Sequence, residues 1–151
     1  DGHNLEARQA MLHGAMLAGQ AFANAPVAAV HALAYPLGGH YHISHGLSNS
    51  LVLPHVLHFN LPAAYSSYAQ LANVINPYAR AKPMTLAEYF IEAIQTLIHA
   101  VNLPRQLRAL NIPEQDLPML AKDALLQQRL LINNPRELTE ADALAIYQAA
   151  Y

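Results

Sequence analysis

The sequence predicts an all-α fold of about seven helices packed as a bundle. Apolar residues recur at helical spacing in several segments, no segment shows the alternating pattern of a β-strand, and prolines mark short loops between the helical segments. A chain of 151 residues is long enough for one domain with a sizeable core. We therefore interpret residues 1–151 as a single helical domain.

The first two predicted helices lead up to a cluster of histidines. Residues 3–25 form one long helix, rich in Ala, Leu and Met and apolar on nearly all sides, and helices of this kind are usually buried. Pro26 suits the first turn of a second helix, which carries His31. We expect residues 36–41, PLGGHY, to break that second helix.

Prolines define the next two predicted helices. The segment 44–60 is expected to form a helix that is interrupted near Pro54. Residues 62–75 form a further helix, which the pair Asn76-Pro77 ends.

Capping patterns predict the remaining helices. Thr85 and Glu88 form a capping box at the start of one helix, and Thr139 and Asp142 have the same arrangement in the closing segment. Another helix lies around Pro113–Gln127. The helix that follows Thr85 carries an apolar face of Leu86, Phe90, Ile94, Leu97 and Val101.

The low content of charge predicts that much of the surface is covered. Charged residues make up 12% of the chain, against roughly 25% in ordinary domains. We expect the covering element to be a partner chain, as in a homo-oligomer, or a further part of the same protein. Asp1 stands where a starting Met is expected, so we interpret the N-terminus as cut and find no signal peptide.

Composition also excludes several classes of protein. The eight basic residues are scattered and the formal net charge is −2, so no nucleic-acid partner is predicted. No apolar run reaches the roughly 18 residues of a membrane span, so no membrane partner is predicted. The absence of cysteine excludes disulfides, thiolate zinc sites and cysteine nucleophiles and suits a reducing compartment, which makes the cytoplasm the expected location.

Four histidines lie between residues 31 and 46, HALAYPLGGHYHISHG. A helical His31 followed by a glycine-containing turn and His45 can converge on one ion, and imidazole suits Fe, Zn, Ni and Cu. Divalent metals normally take at least three protein ligands, however. The spacing alone therefore leaves two interpretations open, a metal site or histidines that only pack and form hydrogen bonds, and favours the second.

The neighbours of this histidine pair also allow more than one interpretation. Tyr35 lies one helical turn after His31, where its phenol could donate a proton or bind a substrate, or could simply be buried with a backbone partner. His40 and His42 are expected to be exposed loop histidines, and His55 a hydrogen-bonded core histidine. Gly38-Gly39 could let the backbone approach a ligand closely or could end a helix, and the local sequence favours a helix end. No phosphate-loop motif is present.

Residues 26–60 resemble the signature region of the iron-containing (group III) alcohol dehydrogenases. The family pattern runs from a His through Pro-Leu-Gly-Gly to His-Gly, an Asn and an apolar LPHV segment, and this chain carries each part. Residues 6–25 resemble the buried helix before the signature, and residues 133–151 resemble the closing segment. The resemblance covers essentially all 151 residues.

The resemblance implies the later part of a dehydroquinate synthase-like helical domain, together with its metal ligands. The family holds one divalent ion with an Asp-x-x-x-His pair and two later histidines, which map onto His31 and His45. The chain contains no Asp-x-x-x-His. The upstream ligand helix and the N-terminal nucleotide-binding domain would therefore be absent from residues 1–151, so the chain alone is expected to be inactive.

The implied reaction is the reversible oxidation of an alcohol to an aldehyde or ketone by NAD or NADP. The metal that the resemblance implies is Fe²⁺, with Zn²⁺ as the alternative. Many members carry a second His one turn after the first ligand, and Tyr35 stands there as the candidate catalytic residue. Two other classes stay open: a stand-alone or degenerate helical interaction module, and a small metal protein that uses histidines only.

Overall fold

A computed structural model describes residues 2–151 and confirms the predicted all-α class. Within that range the chain forms seven α-helices, two short 3₁₀ helices at Leu107–Leu110 and Glu114–Asp116, and no strand. The expectation for Asp1 lies outside the described residues. The α-helices are α1 (Leu5–Asn24), α2 (Ala29–Tyr41), α3 (His45–Ile75), α4 (Pro83–Ala100), α5 (Leu117–Ala124), α6 (Gln128–Leu131) and α7 (Glu140–Ala149).

Two apolar cores divide the fold along α3. The larger core packs α2 and the first half of α3 against α5 and α7, with side chains such as Leu33, Leu51 and Leu120 fully or almost fully buried. The smaller core packs the second half of α3 against α4 in two clusters that share Phe90, one around Tyr68 and Ile91 and one around Ala72 and Leu86. The larger core therefore fixes α2 and the start of α3, which carry the histidines of interest.

The sequence predicted that prolines interrupt the helices, but the helices of the structure continue through them. Helix α2 continues through Pro36, and α3 continues through Pro54 and Pro62 over 31 residues. A proline removes one hydrogen bond from a helix interior. Pro36 and Pro54 are buried among the apolar residues of α2 and α3, and we attribute the continuity of both helices to this tertiary packing.

Two helix starts and one helix end also differ from the predictions. Pro26 lies outside α2, which begins at Ala29. Helix α4 begins at Pro83, whose missing N–H costs nothing in a first turn, so Thr85 lies inside the helix and forms no cap. Helix α2 runs past Gly38-Gly39 and ends at Tyr41, followed by the C-cap residue His42, which adopts the left-handed conformation with φ 56°.

The apolar face predicted for α4 is only partly buried. Leu86 is buried and Phe90 is half-buried, whereas Leu97 and Val101 are exposed. Ile91 and Ile98 are buried instead, which shows that the side of α4 facing α3 is rotated from the predicted stripe.

The capping box predicted at the last helix is confirmed. The Asp142 N–H donates to Thr139 Oγ1 at 3.2 Å, and the Thr139 N–H donates to Asp142 Oδ2 at 3.0 Å. Hydrogen bonds from Thr139 hold the pKa of the Asp142 carboxyl below its usual value. The box fixes the start of α7, which packs on the larger core.

Thr139→Ala is expected to lower the free energy of unfolding by about 1 kcal/mol, because it removes the N-cap acceptor of α7. Equilibrium unfolding in urea measures the change. Thr85→Ala is the matched control: this threonine is exposed inside α4 and caps nothing, so we expect no loss of stability. Equal stability of the Thr139 variant and the unmodified chain would contradict the role assigned to the box.

Helix α1 is not buried, contrary to the prediction. All 20 of its residues are exposed, including Leu5 and Met11 at 75% and Phe22 at 58%. No other element within residues 2–151 packs an apolar surface against α1. The apolar side chains of α1 therefore have no packing partner in this part of the chain. No helix in the described part of the chain combines the length and hydropathy needed to span a membrane.

Candidate metal centre

Helices α2 and α3 bring His31 and His45 together. His31 lies in the first turn of α2, and His45 is the first residue of α3. The two helices pack in the larger core, and the ring centroids of the two histidines are 5.0 Å apart with their planes tilted by 57°. The convergence of these two side chains, which the sequence allowed, is thus present in the fold.

The environment of His31 favours its neutral form. The side chain is half-buried, and burial lowers its pKa from the ordinary value, with a further decrease from the nearby His45. A neutral imidazole has a free lone pair, which a metal ligand requires. His31 can therefore offer a nitrogen to a cation near neutral pH.

The carboxamide of Asn49 is a third polar group at this centre, beside the two imidazoles. The Asn49 amide nitrogen Nδ2 lies 3.1 Å from His45 Nε2, and the Asn49 oxygen Oδ1 is buried without a hydrogen-bond partner. Sequence reasoning missed Asn49. The signal that could have found it is its position four residues after His45, which places both side chains on one face of α3.

A cavity of about 380 Å³ adjoins the centre. His31 and Asn49 supply polar groups at its wall, and most of the other lining side chains are apolar. Such a space suits the hydrocarbon part of a small molecule whose polar end lies near the histidines. Its apolar walls include Val30, Leu53, Val56 and Leu57.

Tyr35 lies beside the histidine pair. Its ring centroid is 6.0 Å from that of His45, its side chain is 42% exposed, and its hydroxyl makes no hydrogen bond within residues 2–151. The alternative of a buried tyrosine with a backbone partner is therefore wrong for Tyr35. That description fits Tyr147 instead, whose hydroxyl donates to the Leu33 carbonyl at 2.6 Å.

The other histidines of the sequence lie apart from this pair. His40 is exposed, as expected, but it lies in α2 and pairs with Asp123 at 2.6 Å rather than lying in a loop. His42 is the C-cap of α2. His55 is half-buried, and burial lowers its pKa, but it forms no hydrogen bond in the described chain, so the predicted hydrogen-bonded core histidine is wrong.

The end of α2 is held by two polar contacts that also position the turn before His45. His40 contacts Asp123 of α5, and the Tyr41 hydroxyl donates to Asp116 Oδ2 at 2.6 Å. Burial and this hydrogen bond raise the pKa of Tyr41 to about 12, so the phenol remains a donor. The start of α3 is thereby tied to the same core as α2.

The donor set fits a divalent cation, but only in part. Neutral imidazoles are good ligands for iron and zinc, and the unpaired Asn49 oxygen marks the same place as polar. Within residues 2–151, however, no group of three or more His, Asp or Glu side chains could hold a metal ion. His31 and His45 thus bring two imidazoles together, one fewer than the three protein ligands that a divalent metal normally takes.

Comparisons with known proteins agree over the whole chain. The family model described as "Fe-containing alcohol dehydrogenase family, C-terminal" matches residues 1–151. The chain is 41% identical to long-chain-alcohol dehydrogenase 1 of Geobacillus thermodenitrificans (strain NG80-2), covering 100% of this chain and 38% of that protein. It is 37% identical to 1,3-propanediol dehydrogenase of Klebsiella pneumoniae, covering 99% and 39%.

Solved structures show the same correspondence. The crystal structure of a 1,3-propanediol oxidoreductase superposes with a TM-score of 0.93 at 38% identity, covering 99% of this chain and 39% of that one. An alcohol dehydrogenase from Oenococcus oeni gives 0.92 at 36% identity, covering 100% and 39%. The chain thus spans less than two fifths of the length of these relatives. It belongs to the Fe-containing alcohol dehydrogenase family and corresponds to the family's C-terminal region.

Proposed function

We propose that this chain is the C-terminal part of a metal-dependent, NAD- or NADP-linked alcohol dehydrogenase, in which His31 and His45 hold the metal. The observation that carries the proposal is the pair of imidazole rings 5.0 Å apart, of which that of His31 lines a mostly apolar cavity, in a member of this family. Relatives named as a long-chain-alcohol dehydrogenase and a 1,3-propanediol dehydrogenase support a small-molecule alcohol, or the corresponding aldehyde or ketone, as the substrate.

The residues of the chain have separate tasks in this proposal. A bound divalent cation supplies Lewis acidity to the substrate oxygen, with Fe²⁺ as the proposed ion and Zn²⁺ as the alternative. His31 and His45 hold that cation as neutral nitrogen donors. The apolar walls of the cavity orient the hydrocarbon part of the substrate, and Tyr35, exposed beside His45, moves the hydroxyl proton.

The remaining parts of the enzyme are proposed to come from the rest of a longer parent. The relatives are more than twice as long as this chain, which leaves room for a nucleotide-binding domain and for the Asp-x-x-x-His ligands. The exposed apolar helix α1 and the low content of charge support contacts with that part or with a second copy, and we propose a homo-oligomer.

The test compares the chain with its intact parent. Alcohol-dependent reduction of NAD⁺ or NADP⁺ is measured with added iron or zinc. We expect activity from the parent and none from residues 1–151 alone, because hydride transfer needs the nucleotide, the metal and an oriented substrate together. Turnover by the 151 residues alone would contradict the proposal that the rest of the parent is needed for activity. A parent without dehydrogenase activity would favour a helical interaction module.

Tyr35→Phe in the parent is expected to reduce turnover by roughly 100-fold at most, because it removes a proton-transfer group and leaves both histidines in place. Metal content, measured by elemental analysis, should not change. Tyr65→Phe is the control, since Tyr65 is a similarly exposed tyrosine on α3 in neither the histidine pair nor the cavity lining. A loss of metal in Tyr35→Phe, or unchanged activity, would contradict the assigned role.

A further inference from the structure

Asn49 has incomplete hydrogen bonding at the candidate metal centre. Its nitrogen Nδ2 contacts His45 Nε2 at 3.1 Å, but its oxygen Oδ1 is buried and has no partner. It is the one buried side-chain oxygen or nitrogen without a hydrogen bond in the part of the chain that the structure describes. Buried polar atoms are normally paired, so a carboxamide kept in this state needs a reason.

The orientation of the Asn49 amide determines which ring nitrogen of His45 carries the proton. With Nδ2 towards the ring, the amide donates to the Nε2 lone pair, and the proton of the neutral ring lies on Nδ1. With the amide reversed, Nδ2 would be the buried atom without a partner. Orphaned buried N–H groups are rarer than under-satisfied carbonyls. The orientation in the structure is therefore the favoured one.

The position of Asn49 links this hydrogen bond to the second histidine. Asn49 lies one turn after His45 on α3, and it lines the same cavity as His31. The rings of the two histidines are 5.0 Å apart. The amide thus occupies a nitrogen lone pair at the place where the two imidazoles converge.

We propose that Asn49 is a positioning residue of the metal centre, whose amide holds the neutral His45 ring with its proton on Nδ1 and occupies the Nε2 lone pair until a divalent cation takes it. One lone pair cannot serve an N–H donor and a cation together, so binding through Nε2 releases the amide. Metal binding requires a deprotonated ring nitrogen, and a hydrogen bond decides which nitrogen that is. This role of Asn49 rests on the proposed function.

The first measurement is the tautomer of His45 in the metal-free intact protein that carries this chain, by long-range ¹H–¹⁵N correlation with labelled histidine. We expect Nε2 to show the shift of an unprotonated nitrogen and Nδ1 that of a protonated one. Asn49→Leu should shift the population towards the Nε2–H form, and Asn49→Ala repeats the test with a smaller side chain. Asn73→Leu, at an exposed asparagine on the same helix, should change nothing.

The second measurement follows the Asn49 side-chain amide resonance during titration with Zn²⁺. We expect it to shift as the amide loses His45, and to stay unchanged in His45→Ala. A His45 ring protonated on Nε2 in the metal-free protein, an unchanged tautomer in both Asn49 variants, or an amide resonance that does not respond to saturating Zn²⁺ would overturn the proposal. Because the tautomer is read without metal or turnover, an inactive protein with the expected tautomer would contradict only the proposed function.

Discussion

His31→Ala in the intact parent is expected to abolish alcohol-dependent reduction of NAD⁺ or NADP⁺, and His45→Ala is expected to have the same effect. Each substitution removes one of the two imidazoles that converge 5.0 Å apart. Lewis-acid catalysis by a metal is worth several kcal/mol, so its loss corresponds to a decrease in turnover of roughly 10³-fold or more. Steady-state kinetics and metal content are measured on the same samples.

The control for this pair is His99→Ala. His99 is an exposed histidine on α4, away from α2 and the start of α3, so activity and metal content should stay at the level of the unmodified protein. Retained activity in His31→Ala would show that the metal is held elsewhere. Lost activity with full metal content would assign the two histidines to substrate contact instead.

The existence of the helices could be predicted from the sequence, but their boundaries at proline could not. Local rules treat a proline in a helix as a break because it removes a hydrogen bond. In α3 that local cost is outweighed by packing against two cores, which single-segment reasoning does not include. The cap at Thr139 was predictable because its partners lie three residues apart in the sequence.

In the candidate site, too, contacts between residues close in sequence could be predicted, whereas contacts between distant residues could not. The convergence of His31 and His45 followed from a helix, a turn and a second helix, which are close in sequence. Asn49 was recoverable from the spacing of four residues. The contact of Tyr41 with Asp116 joins residues 75 positions apart, and no local pattern indicates it. Burial of α1 depends on apolar surface that residues 2–151 do not supply.

Tyr147→Ala is expected to lower the free energy of unfolding by about 4 kcal/mol, the largest effect of a single substitution in the core. The side chain of Tyr147 is fully buried in the larger core. Truncation to alanine removes the aromatic contacts and leaves a cavity between α7 and α2. Urea unfolding followed by circular dichroism measures the change, with Tyr78→Ala as control: Tyr78 is 88% exposed, so its loss should stay within about 0.5 kcal/mol.

Tyr147→Phe separates the hydrogen bond from the packing. The Tyr147 hydroxyl donates to the Leu33 carbonyl at 2.6 Å, and burial raises the pKa of the phenol, which keeps it protonated as a donor. Removing that hydroxyl should cost about 1 kcal/mol. Leu33 lies between His31 and Tyr35 in α2, so this bond also ties the segment that presents these two side chains to α7. A phenylalanine variant as unstable as the alanine variant would show that the hydroxyl, rather than the buried ring, holds α2 in place.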